Sequence, residues 1–280
     1  MPPLADFTRR VWASGSIEGM SGLRMGFDTR NVCVENIEDV FLQGKPGSET
    51  IAVQVMRRYI SAKHATWYTS ASGAKQTGRK LKPYIIERRT LVFMREPSAQ
   101  QKKKTLEQTP MVRILKSQHH PDHSVTITPT SAHLFQYSAL SYNAHRIHLD
   151  RAHCTEVEGY RNLLVHGPLS LTLMLDVLRR HINAGLSPEE KVVRRIDQVG
   201  YRHIAPLYAD EPLRVCFARS IRDPEEYHVW IENQHGSMCV KATVQIRTTN
   251  ADWQERAAFG AEIFNALKPI LHDPFQPSST

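Results

Sequence analysis

Runs of β-branched and aromatic residues predict strands in the first half of the chain. Residues 31–42, 50–61 and 83–94 are rich in Val, Ile, Tyr and Phe, and Gly/Pro/Ser turns or a long polar loop separate them. This order is typical of antiparallel strands. Residues 95–110 have the composition of a linker, because Pro97 is followed by Ser, Gln and three consecutive lysines.

The spacing of apolar residues becomes helical in the middle of the chain. A first helix is predicted to begin at Thr130 or Ser131, either of which can cap it, and to end near Ser141. A second helix is predicted after His166-Gly167-Pro168, because proline suits the first helical position. Its apolar face contains Leu171, Met174, Leu175, Leu178 and Ile182. Four further strands are predicted at 194–201, 213–221, 227–233 and 238–247.

The composition is that of a folded protein with a sizeable core. The 280 residues correspond to about two domains at roughly 150 residues each, and 41% of them are apolar. No apolar run approaches the ~20 residues that cross a bilayer, so no membrane insertion is predicted. The four cysteines show no C-x-x-C spacing, which argues against a zinc or dithiol site.

The net charge of +8 suits an anionic partner. The densest lysine cluster, residues 102–104, lies in a polar, turn-rich stretch that is typical of solvated loops. No aromatic-basic module accompanies it, so a nucleic-acid partner is not predicted. A phosphate-bearing small ligand would need only a few of these charges.

The stretch from residue 137 to 168 carries the candidate chemistry. It contains His145, His148, His153 and His166 in a polar loop that leads into the second predicted helix. N–H groups at the buried start of a helix can stabilise negative charge that develops on a carbonyl oxygen. A nearby imidazole can transfer a proton at neutral pH. This combination favours acyl chemistry.

Three motifs in this stretch have the form of a family signature. Tyr137-Ser138-Ala139-Leu140-Ser141 matches a Tyr/Phe-Ser-x-x-Ser/Thr lead. Residues 143–148 align with an Asp-x-Asn-Pro-x-His loop and keep its histidine, but Asn143 replaces the aspartate, His145 the asparagine and Arg146 the proline. Gly159-Tyr160 and His166-Gly167 match the entry into a central helix. The sequence thus resembles the MaoC-like hydratases and dehydratases, most closely the fungal hydroxyacyl-thioester dehydratase type 2 and mesaconyl-CoA hydratase-like branch. The resemblance covers residues 9–250.

The resemblance implies an α+β double hot dog, in which antiparallel sheets wrap around a central helix. Residues 111–280 would form the catalytic MaoC-like hot dog. Residues 1–110 would form a degenerate or truncated N-terminal hot dog, because no equivalent of the second predicted helix precedes Arg9. A short internal similarity between the segments that begin at Arg9 and at Arg194 also suggests two related units.

The resemblance implies reversible hydration of enoyl thioesters, or dehydration of 3-hydroxyacyl thioesters, on coenzyme A or acyl carrier protein, with no cofactor or metal. His148 matches the family's catalytic histidine. Asn143 stands where many members have aspartate, so we expect it to orient water rather than act as a base. The backbone N–H of Gly167 is expected to bind the thioester oxygen. His145 and His166 are expected to contact substrate or to hold the loop.

Several alternatives stay open from the sequence. A hot dog thioesterase would hydrolyse the same thioester, and a catalytically inactive protein would only bind it. The histidines within residues 119–123 resemble a metal site, but no second cluster lies at a suitable spacing. A homodimer is compatible with the sequence. The family branch suggests mitochondria, whereas the lack of a visible presequence suggests the cytoplasm.

Overall fold

The described part of the chain contains nine strands and two α-helices. The structure is a computed structural model that describes residues 6–19, 30–62, 83–96, 98, 100, 114–184 and 192–250. Strands β1 to β4 are Arg9–Glu18, Asn31–Gln43, Thr50–Ser61 and Ile85–Met94. Strand β5 (His123–Ile127) precedes helix α1 (Ser131–Ser141), a 3₁₀ turn (Arg146–His148), a π-helix (His153–Glu158) and helix α2 (Gly167–Asn183). Strands β6 to β9 are Val192–His203, Leu213–Arg219, Glu226–Glu232 and Met238–Asn250. None of the described helices is both long and apolar enough to span a membrane.

The helices and seven strands predicted from the sequence are confirmed to within a few residues. Strand β1 is not predicted, because Ser14-Gly15-Ser16 interrupts its apolar pattern and a bulge follows Trp12. Pairing with β4 on one side and β6 on the other nevertheless holds β1 in the sheet. Strand β5 is also not predicted. The predicted linker at 95–110 lies mostly outside the described residues.

The chain divides into two units that are not continuous in sequence. The first unit comprises Met1–Ser98, Ile196–Ile204 and Ala242–Gln245, and the second comprises Ala99–Arg195, Ala205–Lys241 and Ile246–Thr280. Parts of β6 and β9, which come late in the chain, therefore belong to the first unit. The division into domains at residue 110 stays a prediction.

The first unit is an antiparallel sheet with strand order β2-β3-β4-β1-β6. A buried apolar cluster covers part of one face of this sheet, because alternate residues of β3 and β4 point to the same side. The cluster consists of Phe7, Ile51, Val53, Val55 and Phe93. Farther along the same strands the side chains become charged and aromatic.

The second unit packs a helix against a sheet with strand order β9-β8-β7-β5. Helix α2 contacts β7 and β8. Of the five apolar residues predicted on its face, Leu175 is only half-buried, and the other four are buried as predicted: Leu171, Met174, Leu178 and Ile182. The largest fully buried side chain on the strands is Trp230. One long helix therefore covers one antiparallel sheet, and the N-terminal end of that helix adjoins the histidine-rich loop.

All four cysteines are free, and their surroundings differ. Cys33 is exposed on β2, which lies at the edge of the first unit's sheet. Cys154, Cys216 and Cys239 are buried. Burial raises the pKa of all three thiols, to about 12 for Cys216 and about 11 for Cys239.

Candidate active site

His148 lies at the end of the 3₁₀ turn and is buried, with 8% of its surface exposed. Its Nδ1 lies 2.8 Å from the carbonyl oxygen of Leu164. A carbonyl oxygen only accepts, so Nδ1 must carry the hydrogen in this contact. The neutral ring therefore has its lone pair on Nε2. The backbone of the chain thus fixes the tautomer of the candidate catalytic histidine.

Burial lowers the pKa of His148 to about 4. The hydrogen bond to Leu164 opposes this effect, and the nearby His145 adds to it. A lowered pKa means that the imidazole is neutral at pH 7, because the charged form is not stabilised by solvent. His148 can therefore accept a proton at Nε2 without first losing one.

His166 stacks on His148, with ring centroids 3.6 Å apart and an angle of 19° between the ring planes. His166 is fully buried, and its Nε2 is 2.9 Å from the Ser138 hydroxyl oxygen in a hydrogen bond. Burial lowers the pKa of His166 to about 3, and the positive form would also repel a protonated His148 or His145. The stacked imidazoles of His148 and His166 are therefore both neutral at pH 7.

Ser138 is a site residue that the sequence does not assign. It is buried on α1, and its hydroxyl group pairs with His166, which lies 28 positions later. The ring of Tyr137, the preceding residue, also meets His166 edge-on at 5.0 Å. The Tyr-Ser pair in the lead motif was the available signal, but only the fold shows that both residues contact His166.

Asn143 connects the end of α1 to the histidine loop. Its backbone N–H donates to the Ser138 carbonyl oxygen at 2.9 Å, after Tyr142 ends the helix with a left-handed φ of 52°. The Asn143 side-chain oxygen accepts a hydrogen bond from the backbone N–H of His145 at 3.3 Å. The amide oxygen therefore holds the loop. The His145 ring is exposed, and its centroid lies 6.0 Å from that of His148.

Gly167 is the first residue of α2, directly after His166. Pro168 has no N–H, and the N–H of Ser170 already donates to the His166 carbonyl oxygen. The first-turn N–H groups without an intrahelical acceptor are therefore those of Gly167 and Leu169. No acidic side chain occupies the first turn, so the positive end of the helix dipole stays available to an anionic oxygen.

The rest of the loop is braced by ion pairs and by a buried thiol. Arg146 pairs with Asp150 at 2.7 Å, and Arg161 pairs with Glu211 at 2.6 Å. The Cys154 thiol donates to the Ile147 carbonyl oxygen at 3.0 Å. Ile147 directly precedes His148, so the Cys154 thiol holds the segment that carries His148. The raised pKa of this thiol makes it a poor nucleophile.

The structure brings three of the five predicted site residues together through their side chains. The rings of His145, His148 and His166 form one cluster. Asn143 is linked to this cluster through the backbone of His145, and Gly167 through its position next to His166. His148 is the neutral base of this cluster, His166 is its stacking partner, and helix α2 begins next to them at Gly167. This arrangement can move a proton beside a developing oxyanion.

A family model for hydroxyacyl-thioester dehydratase type 2 matches residues 1–209. The mitochondrial hydroxyacyl-thioester dehydratase type 2 of Schizosaccharomyces pombe is 28% identical over 234 residues, which cover 81% of this chain and 68% of the relative. The mesaconyl-C(4)-CoA hydratase of Chloroflexus aurantiacus is 32% identical over 163 residues, which cover 58% of this chain and 50% of the relative. The chain thus spans between half and about two thirds of these relatives.

Among solved structures, a MaoC-like dehydratase from Phytophthora capsici is similar with a TM-score of 0.57 and 13% identity. The likeness covers 90% of this chain and 74% of that structure. At this identity it shows the fold alone, and it confirms the α+β hot dog fold predicted from the sequence. Since the family model extends over most of the chain, the chain belongs to the hydroxyacyl-thioester dehydratase type 2 family.

Proposed function

We propose that this protein is a hydro-lyase that reversibly adds water to trans-2-enoyl thioesters, or removes it from 3-hydroxyacyl thioesters. The observation that carries the proposal is His148, a buried neutral imidazole whose tautomer is fixed by Leu164 next to the start of α2. Membership of the family and the names of the relatives, a dehydratase and a hydratase, support it.

In the dehydration direction, Nε2 of His148 removes the proton from C2 of the 3-hydroxyacyl thioester. The negative charge that develops on the thioester oxygen is stabilised by the N–H of Gly167 and by the helix dipole. The C3–O bond then breaks, and His148 returns its proton to the leaving hydroxyl group, which departs as water. Hydration follows the same steps in reverse, with Asn143 orienting the water.

His166 has a positioning role in this mechanism. It stacks on His148 and is held by Ser138, so it fixes the plane of the catalytic ring. Because both rings are buried, a second positive charge beside a protonated His148 would be costly. His166 therefore stays neutral while His148 carries the proton. His145, whose exposed ring lies 6.0 Å from that of His148, is the member of the cluster that solvent reaches.

The substrate class follows from the same assignment. Relatives that act on thioesters make coenzyme A or an acyl carrier protein the expected carrier, and the net charge of +8 suits its phosphate groups. We propose a mitochondrial location, since the S. pombe relative is named as mitochondrial. We also keep the division into a degenerate N-terminal hot dog (1–110) and a catalytic hot dog (111–280), and a homodimer, as proposals.

The test is His148→Ala, assayed with trans-2-enoyl-CoA by the loss of the conjugated thioester absorbance. Removing the base is expected to lower kcat by about 100-fold or more. The matched control is His235→Ala, because His235 is an exposed histidine in the turn between β8 and β9. Its turnover should equal that of the unmodified protein.

Release of free thiol is followed in the same reaction. Because hydrolysis also removes the conjugated thioester, release of thiol in the same amount as the absorbance lost would identify a thioesterase instead. A folded His148→Ala variant with normal hydration would overturn the assignment of the base. Binding of enoyl-CoA with neither reaction would favour an inactive acyl-thioester-binding protein.

A further inference from the structure

The backbone of Leu164 contacts the histidine turn at two points. Its N–H donates to the carbonyl oxygen of Ile147 at 2.9 Å, and its carbonyl oxygen accepts from Nδ1 of His148 at 2.8 Å. Leu164 is itself buried. The position of this one residue therefore determines both where the turn lies and which ring nitrogen of His148 carries the hydrogen.

Leu164 lies in an irregular stretch between the π-helix and α2, so the hydrogen bonds of a helix do not hold its carbonyl group in place. It forms an isolated antiparallel bridge with Tyr208 instead. Tyr208 belongs to residues 205–211, which lie between β6 and β7 and which we call the β6–β7 segment. The contacts of this segment therefore decide how firmly Leu164 is held.

The β6–β7 segment forms backbone hydrogen bonds with the residues on either side of Leu164. The N–H of Ala209 donates to the carbonyl oxygen of Leu163 at 2.9 Å. The N–H of Val165 donates to the carbonyl oxygen of Leu207, also at 2.9 Å. These contacts place Leu164 between two points that are fixed to the segment, and all of them lie within the second unit.

Arg161 attaches the same stretch to the segment through its side chain. Its Nε and one terminal nitrogen donate to the two carboxylate oxygens of Glu211, at 2.7 and 2.6 Å. Its guanidinium carbon lies 3.8 Å from the centroid of the Tyr208 ring. Tyr208 is buried and is the residue that is bridged to Leu164. One guanidinium group therefore contacts two residues of the segment, and one of these pairs with Leu164.

The pair of Arg161 and Glu211 differs from an ordinary surface ion pair. Two parallel hydrogen bonds fix the orientation of the groups as well as their distance, and a planar guanidinium can also stack on an aromatic ring. A second ion pair, Arg151 with Asp210 at 2.9 Å, also reaches the segment, but its side chains are 56% and 47% exposed, against 38% and 19% for the first pair. Exposed pairs contribute little, so Arg151 offers a matched control.

We propose that Arg161 is a positioning residue for His148, because it holds the β6–β7 segment against the stretch that carries Leu164. Tyr208, on which the guanidinium stacks, is bridged to Leu164, and Leu164 fixes the hydrogen on Nδ1 of His148. Without that acceptor in place, the neutral ring can carry its hydrogen on either nitrogen. A ring with the hydrogen on Nε2 cannot accept a proton there. The inference rests on the proposed function, in which Nε2 of His148 is the base.

The first test compares the hydration of trans-2-enoyl-CoA by Arg161→Ala and by Arg151→Ala. We expect Arg161→Ala to lower kcat about threefold to tenfold with KM within about twofold, because the base is less well placed and the substrate keeps its contacts. Arg151→Ala should keep kcat within about twofold. An equal loss of kcat in both variants overturns the proposal. So does a raised KM with unchanged kcat in Arg161→Ala, because it would make Arg161 a substrate-binding residue.

Further variants test whether Arg161 acts through Glu211. Arg161→Lys keeps the charge but not the two parallel hydrogen bonds, so its kcat should also be lowered, whereas full activity would overturn the role of the guanidinium. The double variant Arg161→Ala/Glu211→Ala should be no less active than Arg161→Ala, because both changes remove one interaction. Glu211→Gln keeps the shape of the carboxylate. It replaces Arg161→Ala in every measurement if the alanine variant does not fold.

The second test measures the tautomer of His148 without substrate. The ¹⁵N chemical shifts of an imidazole distinguish the nitrogen that carries hydrogen from the one that does not, and comparison with His148→Asn identifies the signals of His148. We expect hydrogen on Nδ1 in the unmodified protein and in Arg151→Ala, and a mixture of both tautomers in Arg161→Ala. Hydrogen on Nδ1 alone in Arg161→Ala overturns the proposal, even if kcat falls, because the loss then has another cause.

The two measurements separate this inference from the proposed function. A changed tautomer in Arg161→Ala, with no hydration by the unmodified protein, overturns the proposed function alone. Hydration by the unmodified protein, with the same tautomer in Arg161→Ala, overturns the positioning role alone.

Discussion

A carboxylate at position 143 could act as a base and also hold the catalytic loop, whereas the Asn143 amide cannot act as a base. Its side-chain oxygen accepts the hydrogen bond from the His145 backbone and so holds the catalytic loop. Aspartate can accept the same hydrogen bond, whereas alanine cannot. The local geometry therefore depends on an oxygen at this position and not on a charge.

We expect Asn143→Ala to lower kcat about tenfold, because the loop that carries His148 loses a contact and the base is less well placed. We expect Asn143→Asp to stay within about threefold of the unmodified protein, because aspartate keeps an acceptor for the His145 N–H. Steady-state hydration assays of both variants measure the difference. Asn36→Ala, on exposed β2, is the control.

Equal activity of Asn143→Ala and the unmodified protein would remove Asn143 from the site. A large loss in Asn143→Asp would mean that the amide N–H₂ group is needed as well.

At the residue scale, the sequence predicts the types of group and the structure supplies their partners. The spacing of His145, His148 and His166 could be read from the motif. The pairing of Ser138 with His166 could not, because it joins residues 28 positions apart on two elements. The tautomer of His148 could not be predicted either, since a backbone carbonyl group fixes it.

At the element scale, Asn183 ties the end of α2 to the start of β6. Its side-chain N–H₂ group donates to the carbonyl oxygens of Arg179 and Arg194, both at 3.0 Å. Its side-chain oxygen accepts from the backbone N–H of Arg194 at 3.2 Å. One side chain thus closes the helix and aligns the next strand.

We expect Asn183→Ala to lower the free energy of unfolding by about 1–3 kcal/mol, because several backbone groups lose their partner at once. Denaturant titration measures the change. Asn233→Ala is a poor control, since Asn233 also holds a turn, so Gln234→Ala in the same turn is used. A change in Asn183→Ala no larger than in Gln234→Ala would contradict the role.

The success of sequence-based prediction differs between elements for a physical reason. Helices α1 and α2 are signalled by local features, namely the Thr130 cap and Pro168. Strand β1 has weak local signals, and its hydrogen bonds to β4 and β6 come from distant segments. The π-helix at His153–Glu158 has no local signal that distinguishes it from a polar loop.

At the scale of the whole molecule, three histidines with lowered pKa values make stability depend on pH. The pKa values of His148 and His203 are lowered to about 4, and that of His166 to about 3. In the unfolded chain these groups would titrate near 6.5. Below that pH the unfolded chain binds more protons, so the free energy of unfolding falls as pH decreases from about 6.5 toward 4.

The slope should reach at most about 1.4 kcal/mol per pH unit for each histidine that stays neutral in the folded state. Denaturant unfolding at pH 7.5, 6.5, 5.5 and 5.0 measures it. His148→Asn retains a donor for the Leu164 carbonyl oxygen but cannot titrate. The slope of its free energy of unfolding against pH should therefore be smaller by the contribution of one histidine. His235→Gln should keep the original slope. A flat profile for the unmodified protein would contradict the buried, neutral state.

The division of the chain into units could be predicted only in part. Two related strand-rich units were expected from the sequence. The assignment of Ile196–Ile204 and Ala242–Gln245 to the first unit could not be predicted, because it depends on long-range strand pairing. Local patterns identify strands, but they do not state which sheet a strand joins.

The unequal exposure of the four cysteines makes the unmodified protein convenient for spectroscopy. Three thiols are buried and hold their protons, whereas Cys33 is exposed on the edge strand of the first unit. Maleimide dyes and spin labels react with accessible thiolates. A probe would therefore attach at one defined point, away from the histidine loop in sequence, with every native residue retained.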